Sequence, residues 1–344
     1  MKRSFALAVT VALAAACTPA ASTAVSPPQT AGYPPPSYYP QPYPAQYPPA
    51  QQTAPAPPPT AYGAPPQQPP PMGPMTPALL TPLFGADMEQ AELRAVIVEM
   101  ISNLPPAQSA LVRGIPLVVD PDLQPNAYAG CDDQGAPFIA ATQGIFDALD
   151  GISQTQATDE LFGTHTYDAY TAAVMPKLLS NGSAALTAGV IPAQYWSDPR
   201  RFSRAHEMFD EILAFTFGHE LSHHYLGHTG CANGQATGNG PTVAQIGQLF
   251  THALPGLNQP NEIAADNRGV VTMLDSGLAR QRRGLYRWSE QGAYRLFDFF
   301  TRMERAAGIS VLNPIGFLQT HPYPSLRQPL VQIAAQQWHA QHGS

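Results

Sequence analysis

Between residues 203 and 225 a helix would be apolar on almost every side. Phe209, Ile212, Leu213, Phe215, Phe217, Leu221 and Tyr225 cover most of its circumference, the pattern of a helix packed inside a domain rather than on its surface. One-sided apolar patterns predict further helices over 87–104, with Met88, Leu93, Val96, Ile97, Met100 and Ile101 as its apolar positions and Pro105-Pro106 as the stop, over 167–179, over 289–307, and near the C-terminus to about 339. Shorter helical patterns begin near Gln143, cover 183–188 and 242–253, and run over 261–276 with Asn261 as the N-cap. Three short runs, 115–119, 126–129 and 137–142, read as strands, the last two joined by the polar turn 130–135. The Gly- and Asn-rich stretch 227–241 and the Pro-bounded 255–260 read as loops, and their position makes 227–260 a candidate lid. The pattern implies one α+β domain over 83–344, mainly helical, with a small sheet.

The first quarter of the chain has a different composition. Lys2 and Arg3 precede the apolar run 5–16, a signal-peptide pattern over 1–16 that is too short to span a bilayer. Cys17 follows Leu13-Ala14-Ala15-Ala16 and resembles the lipidated cysteine of bacterial lipoproteins, although Leu13 lies one place further from it than the usual pattern. Lipidation at Cys17 would give an outer-membrane lipoprotein facing the periplasm, Thr18 favouring outer- over inner-membrane retention. Cleavage after Ala16 or Ala24 would give a secreted protein. Over 17–82 more than half of the chain's 39 prolines occur. Proline fixes φ and removes backbone donors, so this part is expected to be a disordered, extended tether reaching about 150 Å. A ligand for Pro-recognising domains is the other reading of it.

The formal charge of −7 argues against a general nucleic-acid binder, which would need a basic face. The arginines at 280, 282, 283, 287 and 295 are expected to face water or neighbouring carboxylates.

The buried helix also carries candidate chemistry. His219-Glu220-Leu221-Ser222-His223 is an H-E-x-x-H, and in a chain of 344 residues with ten His about 0.008 such motifs are expected by chance. Four residues apart on a helix, His219 and His223 share one face and can reach one metal ion, with Glu220 to the side where it can take a proton from water. A core helix with hydrogen-bonded histidines is the structural alternative. A catalytic zinc site needs a third protein ligand. Glu262 can supply it, and Asp266, one turn on, can hold the far nitrogen of a ligand imidazole, most directly that of His219.

These residues resemble the gluzincin zinc peptidases, specifically the soluble envelope members of the CAAX-prenyl-protease-like family. The resemblance covers about 120–335 and rests on Asn126-Ala127-Tyr128-Ala129 with 138–144, on 218–227, on Glu262 to Asp266, and on Thr320-His321-Pro322 with Arg327. It implies a zincin-like peptidase domain binding one Zn2+ through His219, His223 and Glu262, with Glu220 as general base. It implies that the strand holding Phe138, Ile139 and Ala140 edges the cleft and pairs with substrate backbone. His321 would stabilise the oxyanion or the reacting water, and Arg327 would brace the site through ion pairs. CAAX processing is not implied, because spanning helices are lacking. The expected function is a zinc metalloendopeptidase acting on envelope polypeptides; a proteolytically silent zinc-containing chaperone or assembly factor is the alternative.

His224 and His228 repeat the four-residue spacing, but no Glu follows His224, and both are expected on the helix surface. His206-Glu207-Met208-Phe209-Asp210 begins like the main motif and lacks the second imidazole. Cys131 and Cys231 can pair in an oxidising envelope if their Cα atoms come within about 7 Å.

Overall fold

The computed structural model describes residues 85–232, 259–308, 320–321 and 323–343. The signal peptide, Cys17, the tether, the 242–253 helix, Pro322 and most of the candidate lid lie outside the described residues. Helices predominate: α1 (Ala86–Asn103), α2 (Pro106–Val112), α3 (Gln143–Phe162), α4 (Thr166–Leu178), α5 (Ala193–Trp196), α6 (Pro199–Tyr225), α7 (Gln259–Arg282), α8 (Gln291–Ala307) and α9 (Pro324–His342). A sheet of three strands, β1 (Leu117–Asp120), β2 (Ala127–Cys131) and β3 (Pro137–Thr142), lies between α2 and α3 in sequence. Among the described residues no helix is long and apolar enough to cross a membrane.

The apolar pattern of α6 places it at the centre. It packs against α1, α2, α3, α7, α8 and the sheet, and its residues from Met208 to Ser222 are all buried. It begins earlier than the pattern implied because Pro199 occupies the first turn, where a missing N–H costs nothing, and the Asp198 carboxylate accepts from Arg200 N. The strands are ordered β1-β3-β2, with β1 parallel and β2 antiparallel to β3. The β2–β3 turn is closed by Asp132 Oδ1, which accepts from Gln134 N and Ala136 N. Strand β3 passes directly into α3, capped by Thr142 Oγ1 accepting from Ile145 N.

Two assignments change. Residues 183–188 form no helix; Tyr170 OH donates to Ala184 O and Ser183 Oγ to Asp147 Oδ2, holding that segment as an irregular strap. The helix assigned to 261–276 runs over Gln259–Arg282, so Asn261 is interior and not a cap. The arginines behave as charge patterning implied: Arg280 and Arg283 pair with Glu99, and Arg295 with Glu211.

Glu89 in the first turns of α1 is fully buried, and neither carboxylate oxygen has a hydrogen-bond partner among the described residues. Burial, reinforced by the charges of Asp150 and Asp147, pushes its pKa up to about 8. The folded chain therefore holds a proton that the unfolded chain has lost, and stability falls as pH rises from about 4.5 to about 8. Glu89→Gln should remove this dependence. Its unfolding free energy is expected to exceed the native value at pH 8 by on the order of 4 kcal/mol and to match it near pH 4.5, measured by denaturant titration. Equal stability at both pH values would contradict the assignment.

Candidate metal centre

Helices α6 and α7 cross where Gly218 faces Gly269. A Cβ at Gly269 would stand 2.9 Å from the backbone nitrogen of His219, and one at Gly218 3.1 Å from Gly269 O. Only glycine allows this approach. The approach sets the α7 carboxylates against the α6 imidazoles.

There His219, His223, Glu262 and His321 bring ligand atoms within 4.8 Å of one another, an arrangement able to hold a metal ion. His219 Nε2 and His223 Nε2 are 3.0 Å apart. The Glu262 carboxylate lies 3.3 Å from His223 Nε2 and 3.5 Å from His219 Nε2. Behind them, His219 Nδ1 meets Asp266 Oδ1 at 2.9 Å, which turns Nε2 toward the cluster. Arg327 grips Asp266 with two N–H groups, at 2.7 Å from Nε and 2.6 Å from Nη2, and its Nη1 lies 3.0 Å from Glu262 Oε2. Glu220 is buried beside the cluster with Oε1 3.9 Å from His219 Nε2, and its Oε2 has no hydrogen-bond partner among the described residues. Two imidazole nitrogens, a carboxylate and an adjacent orphan carboxylate oxygen suit a divalent cation with water next to it.

The C-terminal residues meet the site as well, though not in every expected way. His321 Nδ1 is 2.8 Å from Glu262 Oε2 and its Nε2 is 2.9 Å from Ala127 O on β2. Both partners are acceptors, so both ring nitrogens act as donors, and Nε2 stands 3.6 Å from Glu220 Oε1. In this geometry His321 links β2 to α7.

Two expectations are overturned. Phe138, Ile139 and Ala140 lie on β3, which is central: β1 pairs with it on one side and β2 on the other, so no backbone edge is left there for a substrate. Nor are His224 and His228 surface residues of the kind expected. His224 is buried, with Nε2 donating to Phe138 O and Nδ1 near Thr229 Oγ1. His228 Nδ1 lies 3.1 Å from His223 Nδ1, behind that ring as Asp266 lies behind His219. Its spacing alone could not reveal this, because α6 ends at Tyr225 and the turn that follows folds His228 back. Cys131 and Cys231 form a disulfide with Cα atoms 6.0 Å apart, joining the end of β2 to the segment leaving α6.

No protein-family model, curated protein or solved structure matches this chain. What the site can do therefore follows from its own atoms.

Electrostatically the cluster is built to exchange protons for a cation. Burial pulls the pKa of His219 down, but its hydrogen bonds to Asp266 and Glu262, with the charges of Asp266 and Glu220, push it up to about 10. Burial works to raise the carboxylates, yet the charge of His321 and bonds from His219 and His223 hold Glu262 well below the usual range, and Arg327 does the same for Asp266. At neutral pH the metal-free site thus holds a proton on His219 and none on Glu262. A divalent cation must displace that proton. Metal uptake at pH 7.5 should release about one proton per chain, read by calorimetry in buffers of different ionisation enthalpy, and apparent affinity should rise about tenfold per pH unit toward about pH 10. Uptake without proton release would contradict this account. For the metal-free chain, the contribution of His219 to stability is complete below about 6.5 and is lost as pH rises through about 10.

Proposed function

We propose that the chain is a zinc-dependent metalloendopeptidase that hydrolyses peptide bonds of polypeptides in the bacterial cell envelope, where a lipid on Cys17 and the Pro-rich segment tether it to the membrane. The observation that carries the reading is Glu220: a buried carboxylate with one oxygen unpartnered among the described residues, beside two imidazoles and a second carboxylate converging on one point. Structural metal sites have no use for such a group, whereas hydrolysis does.

His219, His223 and Glu262 would hold Zn2+, whose tetrahedral N and O coordination this donor set suits. When bound, the ion supplies Lewis acidity to a substrate carbonyl and to water. The protein supplies the rest. Glu220 takes the proton of the attacking water and returns it to the leaving amine. Asp266, itself gripped by Arg327, keeps the His219 ring turned with Nε2 inward. His321, with N–H groups at both ring positions, can turn one of them to the developing oxyanion. Strand β2 pairs with β3 on one side and reaches the cluster through Ala127, so its other edge is the one offered to an extended substrate.

The test is cleavage of an unstructured protein by zinc-loaded protein, abolished by a chelator and restored by zinc. Absence of cleavage by a fully zinc-loaded preparation would overturn the reading.

A further inference from the structure

A second constellation of ligand atoms lies on the same central helix. His206 and Asp210 repeat the spacing of His219 and His223, about thirteen residues and thus roughly 20 Å back along the α6 axis. Glu92 comes from α1. Its Oε1 is 3.3 Å from His206 Nε2, Asp210 Oδ1 is 3.5 Å from the same nitrogen, and the three ligand atoms lie within 4.8 Å of one another. Two ligands at 2.0–2.1 Å from one ion at a tetrahedral angle are about 3.3 Å apart, so the two spacings to His206 Nε2 need almost no adjustment.

Asp210 gives an independent indication. Its residue exposure is 6 %, and its Oδ1, 3.5 Å from His206 Nε2, has no well-formed hydrogen bond among the described residues, although the Asp210 and Glu92 carboxyls share a hydrogen bond in the metal-free chain. A buried carboxylate oxygen without a donor is costly unless something positive sits in front of it. In the metal-free chain that group is His206, whose pKa is raised, against burial, by its hydrogen bond to Glu92 and the charges of Asp210 and Glu92, and a cation would take the place of its proton. Burial raises the pKa of Asp210, which the neighbouring Glu92 carboxylate reinforces and the charges of His206 and Arg280 oppose. Arg280, reaching toward the cluster from α7, is itself held by Glu99 at 2.6 Å, which offsets its repulsion of a cation. The side chains of His206 and Glu92 are 44 % and 29 % exposed, giving an ion a way in from solvent.

We propose that Glu92, His206 and Asp210 form a second cation site, taking a divalent first-row transition ion such as zinc, which clamps α1 onto α6. One imidazole with two carboxylates is a borderline donor set that suits such ions and is too small for calcium, which takes six to eight oxygens. The site is distant from Glu220, and its existence does not depend on the proposed peptidase activity.

The experiment uses the full chain, depleted with chelator, exchanged into zinc and desalted, with bound zinc measured by mass spectrometry. The native chain is expected to retain two equivalents, Glu92→Gln and His206→Ala one each, and His219→Ala with His223→Ala one. Zinc should raise the melting temperature of the last variant, and adding Glu92→Gln to it should abolish that rise. Cleavage of an unstructured protein by native chain and by Glu92→Gln reports on the first site separately. One equivalent in the native chain, unchanged in Glu92→Gln and His206→Ala, would overturn the second site and leave the first intact.

Discussion

Replacing Glu220 with Gln should leave zinc bound and lower peptide hydrolysis about 10³-fold, because the amide keeps the shape of the carboxylate but cannot take a proton. The loss should fall on kcat, with KM little changed, since Glu220 stands beside the ligand cluster and not on a substrate-binding edge. The site offers no other acidic group in the same position. Asp266 faces away toward His219 Nδ1 and Arg327, and Glu262 is engaged by His321 and Arg327. Steady-state cleavage of a fluorescent peptide, with zinc content measured on the same preparation, checks this. Native turnover by a zinc-loaded Glu220→Gln chain would remove the assigned proton acceptor.

The second large effect concerns stability. Arg327 is buried and faces two buried carboxylates, Asp266 and Glu262. Arg327→Met keeps an unbranched chain of similar bulk but leaves both charges without their guanidinium, which in other buried pairs costs about 3–5 kcal/mol. The cost should be largest in chelator and smaller in zinc, because the cation also faces Glu262, while Asp266 keeps only His219 as partner. Denaturant unfolding in the two conditions reads this directly. A variant as stable as the native chain in chelator would mean that the carboxylates do not depend on Arg327.

The elements carrying the strongest periodic signal were legible in the sequence. The apolar girth of α6 matches its central burial, and the short runs 126–129 and 137–142, bounded by the polar turn, match β2 and β3 to within two residues. The strand order was not legible, since nothing in Phe138 to Ala140 tells a central strand from an edge when all three positions are buried. On the site, the helical spacing of His219 and His223 and of Glu262 and Asp266 places each pair on one face, and the crossing at Gly218 and Gly269 brings those faces together. Sequence held no sign of that crossing beyond two small residues. Contacts made by chain reversal, such as His228 behind His223, or through backbone carbonyls, such as Ala127 O under His321, leave no periodic trace at all. The i,i+4 pair His206 and Asp210 was visible, but its third partner Glu92 lies on another helix and has no local signature.

The central claim is that two imidazoles of α6 and one carboxylate of α7 converge on a single cation. X-ray absorption at the zinc edge of the Glu92→Gln chain, in which only that centre should be filled, tests it most directly. The predicted result is one zinc per chain with two imidazole nitrogens at about 2.0–2.1 Å and oxygen donors at about 2.0–2.2 Å, the imidazole scattering disappearing when His219 and His223 are both replaced. Zinc bound without imidazole scattering, or no zinc retained by the folded chain, would contradict it.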